Sequence, residues 1–462
     1  MAVWSIINKS EGLSNKRIDS ERYKPQYTEN EYLLRNIPHK KLKYYINDIS
    51  GGATPRGAKY SLSGIPFIRV QNIKENYSDL TDVVYIHESI HNGELFRSQI
   101  KEEDVLLTIT GVSYGNSTVA HKKMLPANMN QHSVRISLKN ALLPEFLSTF
   151  FVSKYGKLQS DSRVTGDTRP ALTYSEISNI IIPDIIIENQ LKIKDIVIKA
   201  TGLRILSQEL YNQAIDLLEQ ELGLDTIELN KRNNYITSNS ICVNERIIDP
   251  KFHNPIYAKL SNHLEENFDT VELRKIADIE YGYMPMQDYE TDSNKGIPLI
   301  RVTNITQQIE IKMDELKYIP NWVKIPTKKY VEKGDILVVQ CGDTTGKVGY
   351  IYEDVKNHLF PSFCFSVKVK DNRINSLYLA ALLKTKIMQI LFDQTVMINT
   401  VRPNTTKPRF ERLTIPILNA ELQKTVSDLL IQSNKDKKES KRLLEEAKTR
   451  VEQLIEEAAN KN

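Results

Sequence analysis

Four short patterns in this chain have the residue types and spacing of catalytic centres. His87-Glu-Ser-Ile-His91 follows the H-E-x-x-H order of zinc hydrolases. That order works only on a helix, where positions four apart share a face and the glutamate lies beside the metal-bound water. Here Val83-Val-Tyr-Ile86 leads in with strand character and Asn92-Gly93 follows at once, so a loop is expected. Gly111-Val-Ser-Tyr-Gly115 has the G-x-S-x-G order of a nucleophile elbow, which must run from strand into helix. Asn116-Ser-Thr-Val-Ala120 reads instead as turn and then strand, so a tight turn is expected. Asn254-Pro-Ile-Tyr257 is one residue away from an N-P-P-Y motif that grips a flipped base, yet no glycine-rich loop after a strand offers a site for a methyl donor. Glu310-Ile-Lys312 has the spacing of a nuclease E-x-K but stands alone. The expectation is therefore no catalytic residue, no cofactor and no metal, with a zinc-dependent hydrolase using His87, Glu88 and His91 as the alternative of a different class.

The elements that would position such residues occur twice. Asp48-Ile49, Gly52 and Pro55 return as Asp278-Ile279, Gly282 and Pro285. Gly64-Ile-Pro-Phe-Ile-Arg-Val70 returns as Gly296-Ile-Pro-Leu-Ile-Arg-Val302. Asp104-Val-Leu-Leu107 with Gly111 and Gly115 returns as Asp335-Ile-Leu-Val338 with Gly342 and Gly346. Arg169-Pro170 and Ile182-Pro183 return as Arg402-Pro403 and Ile415-Pro416. Glycine, proline and apolar positions are kept while most polar ones differ, which suggests one fold built twice with two differently dressed surfaces. The repeat also weakens the enzymatic motifs: the place of His87–His91 is taken by Pro320-Asn-Trp-Val-Lys324, and Gly342-Asp-Thr-Thr-Gly346 has no serine.

Within each copy short β-rich runs come first (65–70, 83–86, 105–110 and 133–138), punctuated by Gly, Pro, Asn and Ser. A helical segment follows, 144–158 and 376–392, then an apolar strand ending in proline, then a long helical pattern. In the first long pattern Ile196, Leu203, Leu210 and Leu217 fall seven apart. The second carries Leu422, Val426, Leu429, Leu443, Ala447, Val451, Leu454 and Ala458, interrupted by Ser433, Asp436 and Ser440. Helices of about 35–40 residues reach roughly 50–60 Å and are expected to pair along a seam. The predicted layout is a first module over 1–185, a long helix over 186–225, a linker over 226–245, a second module over 246–417 and a second long helix over 418–462.

Bulk properties exclude little. Lys+Arg 62 against Asp+Glu 58 gives +4, compatible with one basic face balanced by an acidic one. Cys242, Cys341 and Cys364 are too few for a disulfide framework or a cysteine zinc site. No apolar run reaches the ~18–20 residues of a membrane span, and no secretory h-region is apparent at the start. A cytoplasmic location is expected.

Taken in order, these motifs resemble the specificity subunits of type I restriction–modification systems. The features are G-I-P-x-I-R-V, D-[VI]-L, Asn130-Gln-His132 before a strand, the T-G-x-x-R-P run at Thr165–Pro170, and the I-P-x(6)-Q joints at Ile182–Gln190 and Ile415–Gln423. The resemblance implies an α+β chain of two target recognition domains joined by two long helices in an antiparallel coiled coil. It implies a non-catalytic subunit that reads a bipartite target in double-stranded DNA and docks two methyltransferase subunits and restriction subunits. Recognition subunits of type II and phage-defence modification systems are similar. The second copy departs from the pattern in having Phe360-Pro-Ser362 where the first has Asn-Gln-His. Candidate DNA-contacting residues are those of the glycine turns (Tyr114, Asn116, Thr345, Lys347) and of the polar stretches after the helical segments (Arg163, Thr165, Arg169, Arg402, Asn404, Lys407). Arg69 and Arg301, in shared strands, are expected to be structural.

Overall fold

The computed structural model describes residues 20–166, 170–227, 229, 249–397 and 402–461. By internal contacts the chain forms two units, one running up to Ile205 and resuming from Lys437, the other running from Leu206 to Asp436.

In the first unit a four-stranded antiparallel sheet has the order Ile46–Gly51, Ser133–Leu138, Val105–Thr108, Ser117–Val119. A second sheet has the order Val84–Ile86, Ile65–Ile68, Asn128–Met129, with the last pair parallel. His39–Lys41 pairs with Ile181–Pro183. The second unit repeats this. Ala277–Tyr281, Cys364–Val369, Ile336–Val339 and Val348–Tyr350 form the first sheet in the same order. Lys317–Pro320, Gly296–Leu299, His358–Leu359 and Tyr330–Val331 form the second, and Asp269–Glu272 pairs with Thr414–Ile417. The architecture is mixed α/β in two units.

Each helical segment expected to be continuous is broken in two: Pro144–Val152 and Lys154–Arg163, then Ser376–Leu382 and Lys386–Thr395. Ser153 stops the first helix by taking extended backbone angles, and its hydroxyl accepts from Gly156 N to start the next. Phe146, Phe150 and Phe151 are fully buried beneath the break, each contributing about 2–3 kcal/mol of transfer free energy.

Both units draw on the two long helices, Ile187–Glu221 and Ala420–Asn460. In the first unit Ile193 and Val197 join the core with Ala447, Val451, Leu454 and Ile455. In the second Ala214, Leu218 and Leu222 join with Val426 and Leu430. The buried stripe of the first helix is therefore Ile193, Val197, Ala200, Ser207, Ala214, Leu218 and Leu222, rotated from the expected row. Ile196, Leu203, Leu210 and Leu217 are only half-buried, and Leu206 is exposed. The small residues Ala and Ser occupy the stripe where backbones come close. The polar interruption in the second helix lies inside its buried face. Ser440 Oγ donates to Ala200 O at 2.7 Å in the first unit, and Ser207 and Ser433 each donate to the other's carbonyl at 2.7 Å in the second. Among the described residues no helix is long and apolar enough to cross a membrane.

Candidate nucleic-acid interface

The two segments singled out in each copy, glycine turn and post-helical stretch, meet in space. In the first unit Thr165 and Ala171 exchange backbone hydrogen bonds (3.0 and 2.9 Å), closing a small hairpin. Leu172 N donates to Ile109 O at 2.9 Å and Gly111 N to Pro170 O at 3.2 Å, tying the hairpin to the turn. The second unit has the same wiring: Met397 with Asn404, Thr405 N to Gln340 O at 2.9 Å, and Gly342 N to Pro403 O at 2.9 Å. The turn glycines have φ of +81° and +84° in the first unit and +97° and +92° in the second, angles that side chains with a Cβ rarely adopt. Gly111 and Gly342 have open space where a Cβ would go, so backbone angle alone demands glycine there.

What the turns present differs. Val112, at the first tip, is fully exposed, an isopropyl group in water. Asp343 is exposed at the equivalent place. Beneath the first turn, Thr110 Oγ1 and His132 Nδ1 lie 2.7 Å apart and Ile109 N donates to His132 O. Beneath the second, Gln340 Nε2 donates to Ser362 O at 3.0 Å. The structure sets Asn130-Gln-His132 against Pro361-Ser-Phe363, one residue on from the expected Phe360-Pro-Ser362, and the divergence is tolerated because the shared contact is backbone: Ile109 N donates to His132 O and Gln340 N to Phe363 O at 2.8 Å. A Cβ on Gly52 would lie 2.0 Å from Asn130 O, and one on Gly282 2.0 Å from Pro361 O.

The individual candidates are placed as follows. Tyr114 is half-buried and donates its hydroxyl to Asp161 Oδ1 at 3.0 Å; burial, then the Asp161 carboxylate, pushes the phenol up to about 12. Asn116 lies between the turn and the strand Ser117–Val119, its carbonyl bonded to Thr108 N and its side-chain amide directed at Ile73 O (3.4 Å). Thr345 turns its hydroxyl to Gly342 O at 2.5 Å. Lys347 is half-buried beside Lys384, whose ammonium is pushed down by burial and then by Lys347. Thr165 is exposed on the hairpin; Arg169 lies outside the described residues. Arg402 is exposed, and Asn404 Nδ2 donates to its carbonyl at 3.1 Å. Lys407 opens the short helix Lys407–Phe410, with its N–H given to Tyr281 Oη at 3.0 Å.

Arg163 is placed otherwise than expected. It is 2% exposed, donates to Gln159 O at 3.1 Å, and lies within 3.9 Å of both Glu31 and Glu176. Burial, then neighbouring Arg22, pushes its guanidinium down to about 10. It anchors the helix that ends at the hairpin. Arg69 and Arg301 have matching positions in the two units: each takes Asn72 or Asn304 Oδ1 on its backbone N and gives Nη2 to a carbonyl, of Asp82 (2.9 Å) or Glu315 (3.0 Å).

His87 to His91 is not the expected loop. Glu88–Asn92 is a one-turn helix, with His87 as its N-cap accepting from Ser89 N. His91 is buried and pairs with Asn128, which also bonds Leu95 O and Ser98. Both imidazoles thus have local roles, and among the described residues no group of three or more His, Cys, Asp or Glu could hold a metal.

Sequence reasoning passed over Val112 and Asp343, since an exposed tip is defined only once the turn is placed. It also took Gln190 and Gln423 as joint markers without a role. Gln190 Oε1 accepts from Leu143 N at 3.0 Å while its amide donates to Ile185 O at 2.8 Å. Gln423 does the same with Asn375 N (2.9 Å) and Leu418 O (2.9 Å). Each glutamine clamps the start of the long helix to the start of the helical segment before it.

A surface of glycine-supported turns beside a hairpin, carried by an antiparallel sheet, is one on which side chains can vary without disturbing the frame, as a sequence-reading protein requires. Residues 265–448 match the type I restriction modification DNA specificity domain. The type I restriction–modification S subunit from M. genitalium is similar at 12% identity with a TM-score of 0.46, covering 92% of this chain and 96% of that one. The HsdS subunit from Thermoanaerobacter tengcongensis is similar at 16% identity with a TM-score of 0.28, covering 92% and 96%. No curated protein matches the sequence.

Proposed function

We propose that this chain is the specificity subunit of a type I restriction–modification system, with modules at 1–185 and 246–417 each reading one half of a bipartite DNA target. The observation that carries the reading is the same turn-and-hairpin surface built twice on one backbone plan and tipped by unlike residues, Val112 and Asp343. Reading unlike half-sites needs a kept frame and changed tips, whereas one active site copied twice would keep its reactive side chains. Base edges are read by side chains at the tips, while phosphate contacts from lysine and arginine position the modules. Thr165, Arg402, Asn404 and Lys407 are the contacts assigned to the hairpins and their flanks, with Asn116, Thr345 and Lys347 at the turns; Arg169 is kept as a contact on its sequence alone. Tyr114 and Arg163 act from below as positioning groups.

The long helices form an antiparallel coiled coil in this reading, supported by the Ala200–Ser440 contact in one unit and the Ser207–Ser433 contact in the other. The subunit performs no chemistry itself and directs two methyltransferase subunits, and a restriction subunit, to the target. Selection from a random duplex library tests the proposal. A split motif with two fixed blocks and a constant spacer supports it; a single contiguous motif, or no motif, overturns it.

A further inference from the structure

A group of lysines at the edge of the second turn-and-hairpin surface has no counterpart of equal charge in the first. Tyr281 ends the strand Ala277–Tyr281. Lys329 Nζ donates to Tyr281 O at 2.6 Å, and Lys407 N donates to Tyr281 Oη at 3.0 Å. Lys328, next along the turn Thr327–Lys329, reaches Glu280 at 3.3 Å. Lys407 Nζ has Glu411 at 3.7 Å, a loose pair. The ammonium group of Lys329 and the backbone N–H of Lys407 thus meet at Tyr281, with the Lys328 and Lys407 ammonium groups set against the carboxylates of Glu280 and Glu411. The Lys329 ammonium is pushed down first by burial and then, against the pull of Glu280, by Lys328 and Lys407. Crowding of like charges costs free energy unless an anion offsets it.

The matching place in the first unit is built alike but charged differently. The turn Phe96–Ser98 corresponds to Thr327–Lys329, and Ser50 Oγ donates to Arg97 O at 3.4 Å where the second unit has Lys329 on Tyr281. Arg97 takes the position of Lys328. Ser98, in the position of Lys329, is buried and bonds Leu95 O and Asn128. Tyr174 stands in the place of Lys407, its hydroxyl packed over Gly51 where the second unit has the Tyr281 side chain. Among the described residues at these matched positions, one cation stands here against three there.

We propose that Lys328, Lys329 and Lys407 form a site for phosphodiester groups of the duplex, so that backbone charge contacts are concentrated on the half-site read by the second unit. This rests on the DNA-reading role proposed above and adds to it which half carries the electrostatic grip. Adjacency supports it: Lys407 follows directly from the hairpin strand that bonds the Gly342 turn, so a duplex laid on those tips passes its backbone over Tyr281.

The test is the salt dependence of duplex binding by the full-length chain, from about 50 to about 300 mM salt, using its selected target. Each lost phosphate contact lowers the slope of log K against log[salt] by about 1. K328A/K329A is expected to lower it by about 2, R97A by about 1 at most, and K329R not at all, with the selected motif unchanged in every case. K328A alone, at an exposed position, guards against a folding defect in the double variant. An unchanged slope in both lysine variants overturns the inference while leaving the DNA-reading role intact. Failure of the unaltered chain to select any duplex overturns both.

Discussion

Glu452 Oε1 accepts the backbone N–H of Lys154 at 2.7 Å, and Glu219, at the equivalent position of the other long helix, accepts that of Lys386 at 2.8 Å. Each carboxylate caps the second half of a broken helical segment, satisfying an N–H that the helix cannot satisfy itself. Glu219 also faces the Lys386 ammonium, with Nζ at 3.3 Å, whereas the Lys154 ammonium pairs at 2.6 Å with Glu456, one turn on from Glu452. In each unit a long helix is thereby fastened to the helical face behind the candidate surface.

Replacing either glutamate removes that cap. E219A and E452A are each expected to cost about 1–2 kcal/mol, with E219A the larger because Glu219 is buried. Denaturant unfolding measures this; equal stability of E219A and the parent chain would show the cap to be idle.

Gln190 and Gln423 each satisfy one donor and at least one acceptor in the protein interior. Q190A and Q423A are expected to lose about 1–3 kcal/mol, the cost of leaving buried backbone groups unpaired. Amide exchange at Leu143 and Asn375 should accelerate in the respective variant and stay unchanged in the other.

Burial pushes the Glu31 carboxyl up, but Arg163, the hydrogen bond from Arg35, and Arg22 outweigh it and hold it below the ordinary glutamate range. A carboxylate depressed in the folded state gives stability that is present above its unfolded value, about 4.3, and lost as pH falls through the lower folded value. E31Q also removes one of the two carboxylates that face the buried Arg163, so a loss on the order of 3 kcal/mol is expected at neutral pH. The gap between E31Q and the parent chain should narrow as pH drops below about 4; a gap independent of pH would refute the charge assignment.

The turn glycines test the proposed interface separately from the fold. G111A and G342A place a Cβ at φ of +81° and +97° with no clash to relieve, so each should cost about 1 kcal/mol of stability. Disturbing the tip that carries Val112 or Asp343 is expected to weaken target binding more than tenfold for either variant. Gel-shift titration decides it, and undiminished affinity would remove the turns from the interface.

Much of the frame was legible in the order of residues because it depends on local pattern. The strand expected over 133–138 is Ser133–Leu138, and both long helices are present. Long-range contacts set the rest. The break at Ser153 is secured by Glu452, which lies far along the chain. The burial of Arg163 depends on Glu31, and the inward turn of Tyr114 on Asp161. A one-turn helix at Glu88 was hidden because its cap is a histidine, a residue seldom used for that purpose. The meeting of turn and hairpin was not readable at all, since it consists of main-chain bonds such as Gly342 N to Pro403 O.

The first unit is made of two separated stretches, and Ala447, Val451, Leu454 and Ile455 from the later one close its core. A ribosome that has passed Ile205 has therefore not yet supplied the material to finish that unit; it must first translate all of the second, which is continuous. A premature stop or frameshift anywhere between the two stretches would leave the core around Phe146, Phe150 and Phe151 incomplete, so a lesion within the second unit would undo the first as well.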